Sequence, residues 1–516
     1  MGILVGSPLV FAAYGSQSET MSDLQSCKRI ITGNINLGTA NSSEKNSARL
    51  PMETDTFSRL RTPRRKFLTT ASQALATTTL LSGATHSLHS SLVHAAGSDS
   101  INIALIGCGG RGGGAVADAL GIVEAPLKLT ALADVAAGRT EMVRRILSRQ
   151  FPDQVDVPDD HMFKGFDAYK QALDTLRPGD IAIFATPAAF RATHFEYAIS
   201  RGLHVFMEKP VAVDGPSAKR IIDLASKADA NKLKVGVGLM CRHCPRRKEL
   251  FDRLQSGEAG ELLAFRAYRE HAPAHNLDLF PGVPNDTTEL AWQVKRFHNF
   301  LWASGGIFSD YYIHNIDEVC WMKDAWPVSA VATGGRHYKG KMNDQNFDSY
   351  AVEYTFEDGT KFYFSGRAMK DCGRKFGGFG QGSKGAFTIS ARGHKPSRAT
   401  IYKGQKMEDS QILWTAAQPE PNPYKEEWRH LVSAILMDVP YNEAVRGAQA
   451  SLVTAMGRFA AHTGKQVTYD EMLVMPDDMT ASVDGMTENS AAPVLADANG
   501  IYPVPMPGKY RYEYHD

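Results

Sequence analysis

No apolar run in this chain approaches the ~18 residues that a membrane-crossing helix needs, and neither sign of charge prevails. Lysine and arginine number 57 against 56 aspartates and glutamates, a formal net charge of +1. The first absence excludes a helical membrane span. The second removes the electrostatic basis for gripping nucleic acid or an anionic surface. Cysteine is scarce, at six in 516 residues, and forms no dense disulfide framework. Cys241-Arg-His-Cys244 is a lone CxxC with no second ligand pair at matching spacing, so the sequence offers no metal site. Internal repeats and heptad arrays are also missing. What remains, 43% hydrophobic and 22% charged residues, is the composition of a globular enzyme long enough for two domains.

The most informative stretch is Ile101–Gly112, INIALIGCGGRG. Ile101, Ile103 and Leu105 alternate as in a buried first strand, and Gly113–Leu120 reads as a short helix. Between them the glycines fall as Gly107-x-Gly109-x-x-Gly112. Gly107 permits a tight turn, Gly109 lets a pyrophosphate approach the backbone, and Gly112 lets helix and strand pack closely. A second apolar run, Leu127–Ala133, closes on Asp134, roughly 20 residues past the last glycine, where a carboxylate takes ribose hydroxyls. Asp134 favours NAD, because it would repel a 2′-phosphate. Arg139 lies close enough in sequence to leave room for NADP.

From Ser100 short strands alternate with helices: Leu127–Ala133, Ile181–Ala185, Leu203–Met207 and Val235–Leu239, with helices such as Ala192–Ser200 and Pro216–Ala230 between them. This predicts a parallel sheet covered on both faces, with ligands at the strands' carboxyl ends. After about residue 245 the pattern changes. Arg246–Gln255 and Phe308–Met322 read as helices. Leu262–Tyr268, Val328–Thr333, Tyr350–Phe356, Lys361–Gly366 and Ala386–Ser390 read as strands, with Glu357-Asp358-Gly359 as a hairpin turn. An α+β domain with a largely antiparallel sheet is expected. Pro273–Phe300 reads as a long loop or lid, and the glycine-rich Lys375–Gly385 as a surface or ligand loop. Helices Pro423–Leu436 and Val445–His462 close the fold. The expected division is a leader at 1–99, a dinucleotide domain at 100–240, an α+β substrate and dimerisation domain at 241–474, and an extended tail at 475–516.

Residues 1–99 are rich in Ser, Thr, Ala and Asn and do not read as fold. Pro63-Arg64-Arg65-Lys66-Phe67-Leu68 precedes the moderately apolar Thr69–Leu81, and Val93-His94-Ala95 offers small residues for a signal peptidase. This resembles a twin-arginine export signal. The resemblance implies the twin-arginine machinery as partner, export in folded form and a periplasmic location. A dinucleotide would then be tightly retained, since no free pool exists there. The arginine pair lies far from Met1, and Met52 reads as the start.

Two further constellations carry chemistry. Glu208-Lys209-Pro210 directly follows the strand Leu203–Met207, which points a lysine into the crevice; adjacent charges at a buried strand end are costly unless paired or used. In Gly305-Gly306-Ile307-Phe308-Ser309-Asp310-Tyr311-Tyr312-Ile313-His314, Asp310 and His314 share one helical face, while Ile313, Ile316, Val319 and Cys320 form an opposing buried stripe. A carboxylate beside an imidazole orients it and raises its basicity, which suits removal of a hydroxyl proton.

The glycine turn, the Glu-Lys-Pro triplet and the Gly-Gly…Asp-x-x-x-His helix occur in this order, and together they resemble the Gfo/Idh/MocA oxidoreductase family over roughly Ile101–Leu473. Ala185-Thr186-Pro187, Gly202-Leu203-His204-Val205, and Ser256-Gly257 with Gly260-Glu261 match as well. The resemblance implies a Rossmann domain plus an open antiparallel sheet domain, NAD or NADP, and a homodimer or homotetramer formed through that sheet. It places Gly107, Gly109, Gly110, Arg111, Gly112, Asp134, Thr186, Pro187, Glu208 and Lys209 around the cofactor. It implies that Lys209 hydrogen-bonds the reacting hydroxyl, and that Asp310 and His314 complete the catalytic group with His314 as acid/base. Many members carry a histidine four residues after the Thr-Pro proline; this chain has Arg191 there and His194 three later. The expected reaction is hydride transfer between a secondary alcohol of a sugar, cyclitol or sugar derivative and nicotinamide. The alternative is an NAD-dependent glycosidase working by transient oxidation, elimination, water addition and re-reduction. Such relatives often lack the lysine, so Lys209 favours the dehydrogenase. A cofactor-bound sensor would not need Lys209, Asp310 and His314 together.

Overall fold

The structure is a computed structural model that describes residues 100–136, 138–273, 283–337 and 344–509. The export segment at 1–99 lies outside the described residues. Six strands, β1 Ile101–Ile106, β2 Leu127–Asp134, β3 Met162–Lys164, β4 Ile181–Phe184, β5 His204–Met207 and β6 Val235–Val237, form one parallel sheet in the order β3-β2-β1-β4-β5-β6. The order reverses beside β1, which opens a crevice at its carboxyl end. β4 and β6 are buried at every position, as a strand covered on both faces must be. β3 is short and half exposed, without the apolar run that would announce it in the sequence.

Nine strands form the second sheet: β7 Leu262–His271, β8 Ser329–Gly335, β9 Ser349–Thr355, β10 Lys361–Ala368, β11 Lys375–Gly382, β12 Ala386–Ser390, β13 Thr400–Tyr402, β14 Ile412–Thr415 and β15 Val467–Thr468. Their order is β14-β13-β12-β11-β7-β10-β9-β8-β15. Every pairing is antiparallel except β7 with β10. One face is lined by Phe265, Ala267, Tyr350, Val352, Phe362 and Phe364 and is buried; Tyr363 and Val331 on the other remain exposed. The expected α/β plus α+β architecture is therefore observed.

Two stretches differ from the sequence reading. Lys375–Gly385 is not a loop. It supplies β11, which pairs with both β7 and β12. The glycines serve close approach rather than bending: a Cβ on Gly380 would stand 2.0 Å from the Phe387 ring. Within Pro273–Phe300, Glu289–Lys295 is a helix capped by Thr288 and Phe297–Asn299 a 3-10 turn. Residues 475–509 contain no helix or strand, yet Val483, Met486, Ala492 and Tyr502 pack with Leu290, Phe300 and Trp302 into one apolar cluster.

The helix Pro423–Leu436 belongs by packing to the first sheet. Its Trp428, Leu431, Val432 and Ile435 join Ile101, Ile103, Leu105 and Phe206 in one core, with the Trp428 and Phe206 rings stacked at 4.4 Å. Late chain thus covers a face laid down by early chain. Trp428→Ala should lower stability by about 3–5 kcal/mol, read as a lower urea midpoint, whereas Trp428→Phe should cost clearly less. Equal midpoints for Trp428→Ala and the parent would remove this helix from the fold's core.

Candidate active site

The glycine turn sits among the loops leaving β1, β2, β4 and β5. Gly107 has φ +97°, and a Cβ on it would lie 2.7 Å from the backbone of Ala185 and Thr186. A Cβ on Gly112 would lie 2.0 Å from the Gly107 carbonyl oxygen. At Gly109 and Gly110 a Cβ would meet nothing within 4 Å, so the turn presents bare backbone to open space. The helix Gly110–Leu120 begins there with no side-chain cap and no acid in its first turn. Unshared N–H groups at a helix's positive end are a cradle for phosphate, and the residues present fit a dinucleotide's pyrophosphate.

Asp134 closes one side. Its Oδ2 accepts from the Cys108 N–H at 2.7 Å and its Oδ1 from the Ala136 N–H at 2.8 Å. The carboxylate thus joins the turn to the next loop, and each oxygen keeps a lone pair for a ribose hydroxyl. On the other side, Thr186 is gripped from below. Arg191 donates to its carbonyl oxygen at 2.8 Å, and His194 Nδ1 lies 3.2 Å from its hydroxyl. Burial lowers the Arg191 guanidinium to about 10 and the His194 imidazole to about 3. These two residues serve the Thr186-Pro187 turn. The Arg111 side chain faces Glu208, with Nε 2.7 Å from Oε1, and also meets Asp118 at 3.3 Å. That pair ties the glycine turn directly to the Glu208-Lys209-Pro210 triplet. Glu427 is buried against it, and burial followed by the charge of Glu208 pushes its carboxyl well above the usual range.

Lys209 spans the gap to the second domain. Its Nζ donates to the Asp310 carbonyl oxygen at 2.6 Å and lies 3.4 Å from Asp310 Oδ1. The other carboxylate oxygen, Oδ2, is 3.0 Å from His298 Nδ1. Burial works against the charged form of Asp310, but Lys209 and His298 outweigh it and hold the carboxyl well below its ordinary value. Sequence reading missed His298. It lies in a stretch of aromatic and polar residues with no period linking it to Asp310.

His314 is placed differently from expectation. No hydrogen bond joins it to Asp310 among the described residues; its ring packs on His394, centroids 4.5 Å apart. Burial, then His394, Lys209 and Arg269, hold it well below the ordinary histidine value, with Asp310 opposing. It is therefore neutral, and its buried Nδ1 has no hydrogen-bond partner. The helix carrying it, Gly306–Lys323, is buried on nearly all sides rather than along one stripe. Its interior acids need cations, and Arg242 holds Asp317 through two nitrogens at 2.8–3.1 Å while Arg247 meets Glu318 at 3.1 Å.

Behind His314, atoms of Cys241, Glu318 and His394 converge within 4.8 Å of one another. Arg269 Nη1 lies 2.9 Å from His394 Nε2. Arginine only donates, so His394 carries its proton on Nδ1, 3.6 Å from Cys241 Sγ and 3.8 Å from Glu318 Oε1. A metal ion would have to displace that proton and compete with Arg247 for Glu318. Cys244 takes no part in the cluster and starts the helix Pro245–Gln255.

Residues 101–237 match the family described as "Oxidoreductase family, NAD-binding Rossmann fold", GFO_IDH_MocA. An inositol 2-dehydrogenase of Corynebacterium glutamicum (strain R) is 28% identical over 150 residues, which is 29% of this chain. The match spans 37% of that relative's own length. The aldose-aldose oxidoreductase of Caulobacter crescentus, solved with glycerol, superposes with a TM-score of 0.53 at 16% identity, covering 72% of this chain and 100% of that one. The scyllo-inositol dehydrogenase of Lactobacillus casei, solved with NAD(H) and scyllo-inositol, gives 0.52 at 21% identity with the same coverage. At these identities the two structures speak for the shared two-sheet fold. Residues 101–237 are thus similar to the NAD-binding Rossmann domain of the Gfo/Idh/MocA oxidoreductase family.

Proposed function

We propose that this protein is an NAD(P)-dependent oxidoreductase that moves hydride between a secondary alcohol of a sugar, cyclitol or sugar derivative and nicotinamide. The observation that carries this reading is Lys209, anchored by Asp310, at the carboxyl edge of the parallel sheet beside the open backbone of Gly109 and Gly110. The bound dinucleotide would supply the hydride acceptor. Gly109, Gly110 and Gly112 would hold its pyrophosphate and Asp134 its adenosine ribose, the latter favouring NAD over NADP.

The chain's own residues handle the proton. Asp310 holds the Lys209 ammonium toward the crevice, where it can donate to the substrate oxygen. His314, kept neutral by its surroundings, takes the hydroxyl proton on its imidazole as the C–H electron pair leaves as hydride, and the carbon becomes a carbonyl. His298 lies on the far side of Asp310, 3.0 Å from its second oxygen, and with Lys209 favours the ionised carboxyl. Gel-filtered full-length protein, denatured, should release NAD identified by mass. Lys209→Met should keep that NAD and lose about 100-fold or more in hydride transfer. Absence of any dinucleotide, or full turnover by Lys209→Met, would remove the assignment.

The environment of His314 sets a pH expectation. Its folded-state pKa lies below the unfolded one, so it stays unprotonated through the ordinary histidine range. The groups facing it are His394, Lys209, Arg269 and Asp310. The kcat/KM profile should stay level as pH falls from about 8 to about 6, where an unperturbed histidine would already have lost half its base form near 6.5. An acid limb centred near the ordinary histidine value would exclude His314 as the base.

The reading also includes transport. The Arg64-Arg65 stretch would send the folded, cofactor-loaded protein to the periplasm. Replacing both arginines by lysine should leave mature protein in the cytoplasm of a host with a working twin-arginine pathway. Unchanged periplasmic recovery would overturn the export reading.

A further inference from the structure

Several cations around the crevice have an acid of their own. Lys209 has Asp310, Arg111 has Glu208, Arg242 has Asp317 and Arg247 has Glu318. Arg191, which donates to the Thr186 carbonyl, and Arg269 have none within ion-pair distance among the described residues. Arg269 sits near the end of β7 on the face that carries the buried Phe265 and Ala267, so its side chain runs toward the helix Gly306–Lys323. Its guanidinium lies 3.9 Å from the centre of the Phe376 ring and 6.0 Å from that of Tyr311. Its one hydrogen bond among the described residues goes to His394 Nε2, at 2.9 Å.

Those neighbours place it at the reacting group. Tyr311 follows Asp310 in the chain, and His394 is the ring on which His314 packs. A guanidinium has five donors in a planar fork and stays charged at any ordinary pH. Here one donor is used, and Phe376 stacks against the plane and restrains it. Burial disfavours the charge, and Glu318, which acts on it, is already held by Arg247. A desolvated cation without a counter-ion is costly unless something else supplies the negative charge. The group positioned to do so is the ligand of the crevice.

We propose that Arg269 is the recognition point for an oxyanion on the substrate, so that the sugar acted on is an acidic one bearing a carboxylate or sulfate. The inference rests on the proposed reading of Lys209 and His314 as the site of hydride transfer. The anion would take the free edge of the fork, which orients the ring's secondary hydroxyl toward Lys209 and His314. A neutral sugar or cyclitol would leave the guanidinium without a counter-ion.

The test is calorimetric binding to the full-length protein, with D-glucuronate, D-glucose 6-sulfate and D-glucose as probes and the retained NAD quantified separately by mass after denaturation. At least one acidic probe should bind about 100-fold more tightly than glucose. Arg269→Met should abolish that preference while NAD binding and the unfolding midpoint stay unchanged. Arg269→Lys should recover part of it, because a point charge replaces a fork. Which acid wins distinguishes carboxylate from sulfate. Equal binding of glucose and the acids, binding of neither acid, or a preference that survives Arg269→Met would overturn the proposal. Should Arg269→Met fold poorly, the parent's preference and the Arg269→Lys protein decide alone. An Arg269-dependent preference in a protein that never binds NAD would sink the hydride-transfer reading and leave this subsite standing. Lys209-dependent hydride transfer without any acid preference would sink only the subsite.

Discussion

The contact on which the site depends is the one between Lys209 and Asp310. The lysine stands at the end of a strand in the parallel sheet; the aspartate stands in the helix Gly306–Lys323, which packs beneath the antiparallel sheet. One ammonium therefore spans the crevice between the two layers. It bonds to a main-chain carbonyl as well as to the carboxylate, so its position depends on the helix itself and not only on a mobile side chain. Its own strand end is anchored in turn, because Glu208 is held by Arg111 from the glycine turn. Cofactor cradle, lysine and aspartate form a single connected run of charge.

Burying so many ionised groups is expensive, and the structure shows how the cost is met. The helix Gly306–Lys323 carries Asp310, Asp317 and Glu318 in an almost fully buried setting, and each acid faces its own base: Lys209, Arg242 and Arg247. Breaking one member would leave the other uncompensated at low dielectric, which is far more destabilising than never having had the pair. The helix is thus held at one depth and rotation, and His314 with it. That histidine, surrounded by positive charge and apolar atoms, is kept neutral without any need for Asp310 to touch it.

The first sheet was legible because its signals are local. Five of its six strands are short apolar runs, and the glycine turn falls between a strand and a helix, where its spacing is informative. β3 escaped notice because an exposed edge strand of three residues needs no apolar pattern. β11 was hidden by its glycines, which suggest a turn in one dimension but are demanded in three by rings such as Phe387 pressing on the strand. At the site, Lys209 and Asp310 could be named from their motifs, whereas their partner His298 could not: the aspartate recruits it across space, and no helical or strand period connects the two. The same holds for His394 and Arg269, which come from the far strands and loops of the second sheet. Sequence spacing identifies groups that one element presents. It is silent on groups that two elements bring together.

The stretch 475–509 has no regular structure, yet Val483, Met486, Ala492 and Tyr502 complete the cluster that backs Phe300 and Trp302, immediately next to His298. Gln293 and Gln345 fasten it further by donating to the carbonyls of Val494 and Pro503, at 2.6 and 3.0 Å. The backing of the segment that bears His298 is consequently built from chain far downstream of it in the sequence. Until those residues arrive, the segment bearing His298 lacks this apolar backing, so during synthesis the crevice settles only after its own lining residues have long emerged.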